Sequence, residues 1–196
     1  MMGCCVPMFE GEFVRSFVCI EIPDTHRAKL AEWIKVQRKV TDEIRWLRAE
    51  TLHITLKFCG ERPQEIVDTF VKRLSEMKPC GALQLSLSGA SGFPKLENAR
   101  IIWTGIGGDT DKLTALAKNV SRIAESCGME RERKAFTPHV TLGRRNGFGY
   151  MADSAVNALR QSKLKLEPWT VDEITLMRSR LLSTGAEYTP IKRFKL

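Results

Sequence analysis

The sequence contains two copies of one short pattern, Leu52-His53-Ile54-Thr55-Leu56 and Pro138-His139-Val140-Thr141-Leu142. Both copies read His-x-Thr-Leu, with a β-branched residue between the two polar side chains. This alternation of polar and apolar residues predicts a β-strand, and a strand sends residues i and i+2 to the same face. We therefore expect each copy to present an imidazole beside a hydroxyl: His53 with Thr55, and His139 with Thr141.

An imidazole beside a hydroxyl has a chemical use. The unperturbed pKa of histidine is about 6.5, so the imidazole gives or takes a proton near neutral pH. A threonine hydroxyl donates a hydrogen bond to a phosphoryl oxygen. Two such units facing each other would supply a general base, a general acid and two oxygen-binding donors. These are the parts needed to open a phosphodiester without a metal.

The duplication is what favours a functional role over a structural one. A single histidine on a half-buried strand is more often a hydrogen-bonded structural residue than a catalytic one. The chain has three histidines, however, and two of them fall in the same tetrapeptide. The third, His26, has no matching threonine and lies near the start of a predicted helix, so we expect it to be exposed to solvent and uninvolved.

Length and composition indicate an ordinary globular protein with a basic surface. The chain has 196 residues, of which 43% are hydrophobic and 28% charged, enough for one large domain or two small intertwined lobes. The formal net charge of +8 favours an anionic partner such as nucleic acid. The basic residues are spread along the chain instead of forming a tail, so a soluble basic surface explains the charge equally well.

Cysteine spacing and hydropathy predict a reduced, cytoplasmic protein. The six cysteines form no Cys-x-x-Cys pair and no zinc pattern, which favours free thiols. No apolar stretch is long enough to span a membrane. Residues 1–12 carry no complete targeting signal, and we expect them to be a loose N-terminal extension.

Apolar periodicity predicts an alternation of strands and helices. In two halves of the chain the order is strand, helix, then a His-x-Thr-Leu strand, which suggests two lobes that bring the motifs to opposite walls of one cleft. The predicted helices cover 24–40, 63–78, 109–127 and 153–162. The predicted strands cover 13–22, 44–47, 52–60, 83–88, 99–105, 137–144, 170–178 and 187–193.

The paired tetrapeptides resemble the signature of the two-histidine (2H) phosphoesterases. Their surroundings narrow the resemblance to the RNA 2′,3′-cyclic phosphodiesterase branch, long known as 2′-5′ RNA ligases. Residues 15–23 resemble the opening strand of that family, 45–60 its first motif region and 136–144 its second. Thr51 stands where the family frequently has Asn, and Ala49 where it frequently has Pro; neither departure touches the chemistry.

The resemblance implies an α+β fold and a metal-independent reaction. The fold would be a single bilobal, pseudo-twofold domain over residues 13–196, with two antiparallel sheets lining a central cleft and helices on the outside. The activity would be hydrolysis of RNA 2′,3′-cyclic phosphate ends to a 2′-phosphate, with His139 as base and His53 as acid. The residues themselves are symmetric between these two roles. No cofactor is expected, and the protein would act as a monomer on RNA ends, tRNA fragments among them.

The family's motif positions also imply a set of substrate-binding residues: Thr55, Thr141 and Arg144. On an ideal strand Arg144, three residues beyond Thr141, points to the opposite face, and only a bulge or the strand's end would return it to the phosphate. Its planar guanidinium suits two phosphate oxygens, although an ion pair elsewhere is an equal alternative. Strand alternation also places Lys57 on the same face as His53, but phosphate binding by Lys57 is the less favoured interpretation.

Two further functions compete with the hydrolase. The first is an RNA-end-binding or 2′-5′ RNA-joining protein that acts on tRNA halves, in which hydrolysis is incidental. The second is a metal hydrolase with His53 and His139 as ligands, which is disfavoured because neither motif contains an acidic residue or a His-x-x-x-His spacing. Four aromatic residues are either stacking surfaces for bases or parts of the core: Phe17, Trp46, Phe93 and Trp103.

Overall fold

Strands and helices alternate along the chain much as the periodicity predicts. The computed structural model describes residues 12–196 except 146, 148, 163 and 184. The helices are α1 Asp24–Arg38, α2 Gln64–Ser75, α3 Thr110–Ser126 and α4 Asp153–Gln161. The strands are β1 Phe13–Glu21, β2 Ile44–Trp46, β3 His53–Pro63, β4 Leu83–Phe93, β5 Ile101–Gly108, β6 His139–Arg145, β7 Lys165–Val171, β8 Glu173–Leu182 and β9 Gly185–Lys195.

The strands form one antiparallel sheet with the two motif strands at its centre. Its order is β7-β4-β5-β6-β3-β1-β8-β9, and the short β2 pairs with β6 on the same side as β3. The central strands β3 and β6 are paired at one position, Ile54 opposite Val140. Three strands lie on each side of this pair, so the sheet has two lobes related by a pseudo-twofold through the middle residue of each His-x-Thr unit.

This architecture confirms the predicted α+β class and alters one detail of it. The two expected sheets are the halves of one continuous sheet, because the Ile54–Val140 pair joins them. The strand predicted over 170–178 is wrong, since the chain there forms parts of two strands. β7 pairs with β4 in one lobe and β8 pairs with β1 in the other. The chain therefore crosses between lobes at Asp172, where two consecutive polar residues, Asp172 and Glu173, separate the strands.

The helices cover one face of the sheet, and the main core lies beneath them. The inward stripe of α3 recurs at helical spacing and is buried, as the sequence predicts: Leu113, Leu116, Ala117, Val120 and Ala124. Ile54, Val140 and Leu142 from the motif strands belong to the same cluster. Burying one large aliphatic side chain contributes about 1.5–3 kcal/mol, so this packing holds the centre of the sheet in place.

The prediction that His26 is exposed is wrong. Its side chain is buried, its Nε2 lies 2.8 Å from the carbonyl oxygen of Glu167, and its ring centroid is 5.0 Å from that of Trp169. Both partners belong to β7, the strand that the sequence did not indicate. His26 is therefore a structural histidine that joins the first turn of α1 to that strand.

The N-terminal extension predicted over 1–12 lies outside the described residues, apart from Glu12, and the boundary of the domain at residue 13 stays a prediction. No helix in the described part of the chain is long and apolar enough to cross a membrane.

Candidate active site

The joint between the lobes brings the two motifs together. With Ile54 opposite Val140 in an antiparallel pair, His53 lies across from Thr141, and Thr55 lies across from His139. Each histidine is thus set beside the threonine of the other motif. All four side chains line one cleft of about 590 Å³ on the face of the sheet away from the main core. The structure therefore assembles the four residues that the pattern singled out.

The two imidazoles are held in the same orientation by equivalent backbone groups. His53 Nδ1 lies 2.8 Å from the carbonyl oxygen of Thr51, and His139 Nδ1 lies 2.7 Å from that of Thr137. A carbonyl only accepts, so Nδ1 carries the hydrogen and donates it in both residues. The Nε2 atom of each ring is left to exchange a proton with a group in the cleft.

The surroundings of the two rings differ. His53 stacks on Phe17 with centroids 4.6 Å apart and meets the edge of Tyr188 at 5.4 Å. Burial lowers the pKa of His53, the hydrogen bond to Thr51 opposes that shift, and the positive charges of His139 and Arg27 lower the pKa further. An empty cleft thus favours the neutral form of His53.

Each motif strand contains a β-bulge at the leucine of its His-x-Thr-Leu unit. In β3, Thr55 pairs with Cys19 and Lys57 pairs with Val18, which leaves Leu56 as the extra residue. In β6, Thr141 pairs with Trp103 and Gly143 pairs with Ile102, which leaves Leu142 as the extra residue. A bulge reverses the inward and outward parity of the residues beyond it.

The first bulge makes the predicted position of Lys57 wrong. The side chain of Lys57 leaves the cleft face and is only 3% exposed. Its ammonium donates to the carbonyl oxygen of Glu130 at 2.7 Å and to the carboxylate of Glu132 at 3.1 Å. Phe58 takes the place in the cleft that parity had given to Lys57.

The second bulge returns Arg144 to the cleft, as its predicted role requires. Arg144 lines the cleft, although a contact with substrate stays a prediction. Three further arginines line it as well: Arg15, Arg45 and Arg48. No aspartate or glutamate is among the described residues of the lining, so the cleft is a strongly positive environment suited to an anion.

The four aromatic candidates fall into two groups. Phe17 and Trp46 line the cleft directly. Phe93 and Trp103 stack on each other at 4.9 Å, and each presents a ring to His139, at 5.2 and 5.9 Å. All four therefore support the site walls, and a stacking contact with a base stays a prediction.

Several lining residues were not found from the sequence, chiefly Arg15, Arg45, Arg48, Phe58 and Tyr188. Arg15 and Tyr188 come from strands far from the motifs in sequence, Arg45 and Arg48 precede the first motif directly, and Phe58 reaches the cleft through a bulge. Arg15 carried a usable signal, because it shares a strand face with Phe17. Its guanidinium lies over the Phe58 ring, 4.7 Å from the centroid.

The donor set offers little to a metal ion. Among the described residues no group of three or more His, Cys, Asp or Glu side chains is placed to hold one. His53 and His139 also face each other without a carboxylate between them, and hard divalent cations prefer oxygen ligands. The expectation of a metal-free reaction stays a prediction for experiment.

The antiparallel two-lobed fold and the paired His-x-Thr units at its joint define a two-histidine phosphoesterase. The model of the 2′-5′ RNA ligase superfamily matches residues 23–181, and the chain belongs to that family. It is 31% identical over 147 residues to an RNA 2′,3′-cyclic phosphodiesterase of Aeropyrum pernix, covering 74% of this chain and 82% of the relative. A relative of the same name from Aquifex aeolicus is 29% identical over 172 residues, covering 86% and 90%.

Solved structures share the fold. E. coli LigT complexed with 3′-AMP superposes with a TM-score of 0.74 at 24% identity, over 94% of this chain and 99% of that one. TT0787 of Thermus thermophilus gives a TM-score of 0.74 at 24% identity, over 93% and 97%. These structures confirm the fold, and the match to the family model confirms the family resemblance seen in the motifs.

Proposed function

We propose that the chain hydrolyses RNA 2′,3′-cyclic phosphate ends to a 2′-phosphate without a metal, with His53 and His139 as catalytic residues. One observation carries the proposal: both imidazoles donate Nδ1–H to a backbone carbonyl, which leaves two Nε2 atoms facing one positive cleft. The relatives named RNA 2′,3′-cyclic phosphodiesterase support the choice of substrate.

The cyclic phosphate would sit at the joint between the lobes. One non-bridging oxygen accepts a hydrogen bond from the Thr55 hydroxyl and the other from the Thr141 hydroxyl, since these groups lie on either side of the Ile54–Val140 pair. Arg144, returned to the cleft by its bulge, adds a positive charge. These donors stabilise the extra negative charge that develops on the non-bridging oxygens as the nucleophile attacks phosphorus.

Two proton transfers complete the reaction. His139 Nε2 takes a proton from water as the water oxygen bonds to phosphorus, in line with the leaving ribose O3′. His53 Nε2 gives a proton to O3′ as the P–O3′ bond breaks, and the phosphate remains on O2′. Exchange with solvent then restores the two starting protonation states. With an RNA hydroxyl in place of water as the nucleophile, the same two proton transfers join two RNA ends.

The lowered pKa of His53 fits the acid role once the substrate's charge is included. An anion beside a buried imidazole favours the protonated form, and the attraction is stronger there than in water. His53 would then be neutral in the empty cleft and take up its proton together with the phosphate. His53 is then protonated only when a substrate is bound, with a leaving group that can receive the proton.

We also propose the setting in which the enzyme works. The described cysteines Cys19, Cys59, Cys80 and Cys127 are free, which suits a reducing compartment such as the cytoplasm. The substrates would be RNA ends, tRNA fragments among them, and the protein would act as a monomer, because the joint supplies both histidines from one chain.

The deciding experiment is turnover of adenosine 2′,3′-cyclic phosphate in EDTA, with the product isomer resolved by chromatography. We expect 2′-AMP from the native chain and a loss of about 10²–10⁴-fold in His53→Ala and in His139→Ala. His26→Gln is the matched control, because it changes the remaining histidine while its amide can still donate to Glu167. Full activity in either alanine variant, or RNA-end binding with no turnover in the native chain, would favour the binding-protein alternative.

A further inference from the structure

The arginines of the cleft differ from many of those elsewhere in how their charge is balanced. Outside the cleft, ion pairs with carboxylates hold six arginines: Arg27, Arg62, Arg145, Arg160, Arg178 and Arg193. Within the described residues, no ion pair includes any of the four cleft arginines. Arg48 donates one hydrogen bond to the carbonyl oxygen of Ala186, which leaves most of its five N–H groups unused.

Two of these charges are placed directly against each other. Arg45 on β2 is the register partner of Arg144 on β6, and both are exposed and line the cleft. Directly opposite residues of an antiparallel pair lie about 4.5–5.5 Å apart at Cα, and like charges in that arrangement destabilise a sheet. An anion bound between the two guanidinium groups would remove that cost.

One cyclic phosphate does not account for this much positive charge. It carries a single negative charge, and the two threonine hydroxyls with Arg144 already serve its oxygens in the proposed reaction. Arg45 lies on the strand paired with Arg144, and Arg48 lies on the segment between β2 and β3, so both add positive charge to the cleft beside Arg144. An RNA strand adds one phosphate for each nucleotide, which would place a second charge there.

We propose that Arg45 and Arg48 form a second phosphate site, which binds the phosphodiester on the 5′ side of the terminal nucleotide. The preferred substrate is then an oligonucleotide end, not a free nucleoside cyclic phosphate. The inference rests on the proposed hydrolase function and adds to it a binding site for the phosphate next to the reacting end. Arg48 would gain a second task here, since its bond to Ala186 joins this site to the start of β9 on the other lobe.

The test compares three substrates, of which the two dinucleotides differ only in that second charge. They are adenosine 2′,3′-cyclic phosphate, the dinucleotide ApA ending in the same cyclic phosphate, and that dinucleotide with a neutral methylphosphonate linkage. We expect kcat/KM for the charged dinucleotide to exceed that for the neutral one by about tenfold or more at low salt, with the advantage shrinking as salt rises. The ratio isolates charge, because both dinucleotides offer the same bases.

Variants then locate the effect. Arg45→Met and Arg48→Met should each reduce the charged-to-neutral ratio several-fold, whereas Arg180→Met should leave it unchanged. Arg180 is an exposed arginine of β8 outside the cleft lining, so it controls for the loss of one positive charge. A native ratio near one, or equal ratios in the Arg45 and Arg180 variants, would overturn the second site while mononucleotide turnover upholds the hydrolase. If instead none of the three substrates is turned over, the proposed function is overturned, and the second site with it.

Discussion

The two motif strands share a framework and differ in the residues beyond it. In each, a backbone carbonyl two residues upstream fixes the imidazole, a threonine stands beside it and the leucine forms a bulge. Beyond the bulge β3 continues with Lys57 and Phe58, whereas β6 continues with Gly143 and Arg144. The framework of each motif is therefore symmetric across the joint, and the surroundings are not.

The residue directly after each bulge, Lys57 in β3 and Gly143 in β6, has a different structural role in the two strands. Lys57 points away from the cleft and ties β3 to the segment that leads into β6, through Glu130 and Glu132. A Cβ added to Gly143 would lie 2.5 Å from Ile44 Cγ2, so β2 packs onto β6 only because that position has no side chain. Lys57 therefore anchors the segment that precedes the second motif, whereas Gly143 leaves room for β2 beside β6.

The next residue of each strand gives the two walls different characters. Phe58 belongs to the wall near His53, where Phe17 and Tyr188 also pack, while Arg144 belongs to a cationic wall near β2. Burial among these side chains opposes a positive charge on His53 and lowers its pKa. The residues beyond the bulges thus give two copies of one motif different surroundings, to which we attribute the separate roles proposed for the two histidines.

The largest expected effect concerns the proposed roles of His53 as the acid and His139 as the base. A cyclic substrate with sulfur in place of the leaving O3′ does not need a general acid, because a thiolate leaves readily. On this substrate we expect His53→Ala to recover most of the roughly 10²–10⁴-fold that it loses on the oxygen substrate, and His139→Ala to recover little. Single-turnover rates measure both. Recovery by His139→Ala instead would exchange the two assignments.

Smaller effects are expected on the free energy of unfolding when Gly143 or Lys57, the residues that follow the two bulges, is replaced. Gly143→Ala should lower the free energy of unfolding by about 1–3 kcal/mol, because the methyl group overpacks the contact with Ile44. Lys57→Met should lower it by about 0.5–1.5 kcal/mol for each hydrogen bond lost, since Glu132 is half exposed and can be solvated.

Urea unfolding with a two-state fit measures both changes. Lys57→Arg is the matched control, because it keeps the charge in a larger head group and should cost less than the methionine if the donors matter. Equal unfolding midpoints for Lys57→Met and the native chain would show that the contact with Glu130 and Glu132 does not stabilise the fold.

The smallest expected effect is the dependence of stability on pH at His53. Its pKa in the folded chain lies below the unfolded value of about 6.5, so between the two values the unfolded chain binds a proton that the folded chain does not. The contribution of the neutral ring is therefore present above a pH of about 6.5 and is lost as the pH falls toward the lowered value.

Urea midpoints at pH values of about 7.5 and about 5.5, on either side of the unfolded pKa, should differ less in His53→Gln than in the native chain, because the glutamine does not titrate. The difference between the two proteins removes the contribution of the other titrating groups. A variant that loses as much stability as the native chain over this range would show that His53 keeps an ordinary pKa when folded.

Local patterns predicted the parts of the site that depend on one strand. Period-two alternation placed His53 with Thr55 and His139 with Thr141, and helical spacing found the buried stripe of α3. The position of Lys57 was wrong because a bulge depends on the partner strand, which the residues of β3 do not specify. His26 was wrong for a related reason, since its partners lie on β7, far away in the sequence.

The sequence by itself determined the elements, the composition of each strand face and the family, because these depend on residues close together in the chain. Only the tertiary structure decided which threonine stands beside which histidine, since that depends on the pairing of Ile54 with Val140. It also placed Arg45 against Arg144 and enclosed His53 among aromatic rings. Register, bulges and burial arise between distant segments, and they turn two similar motifs into one asymmetric site.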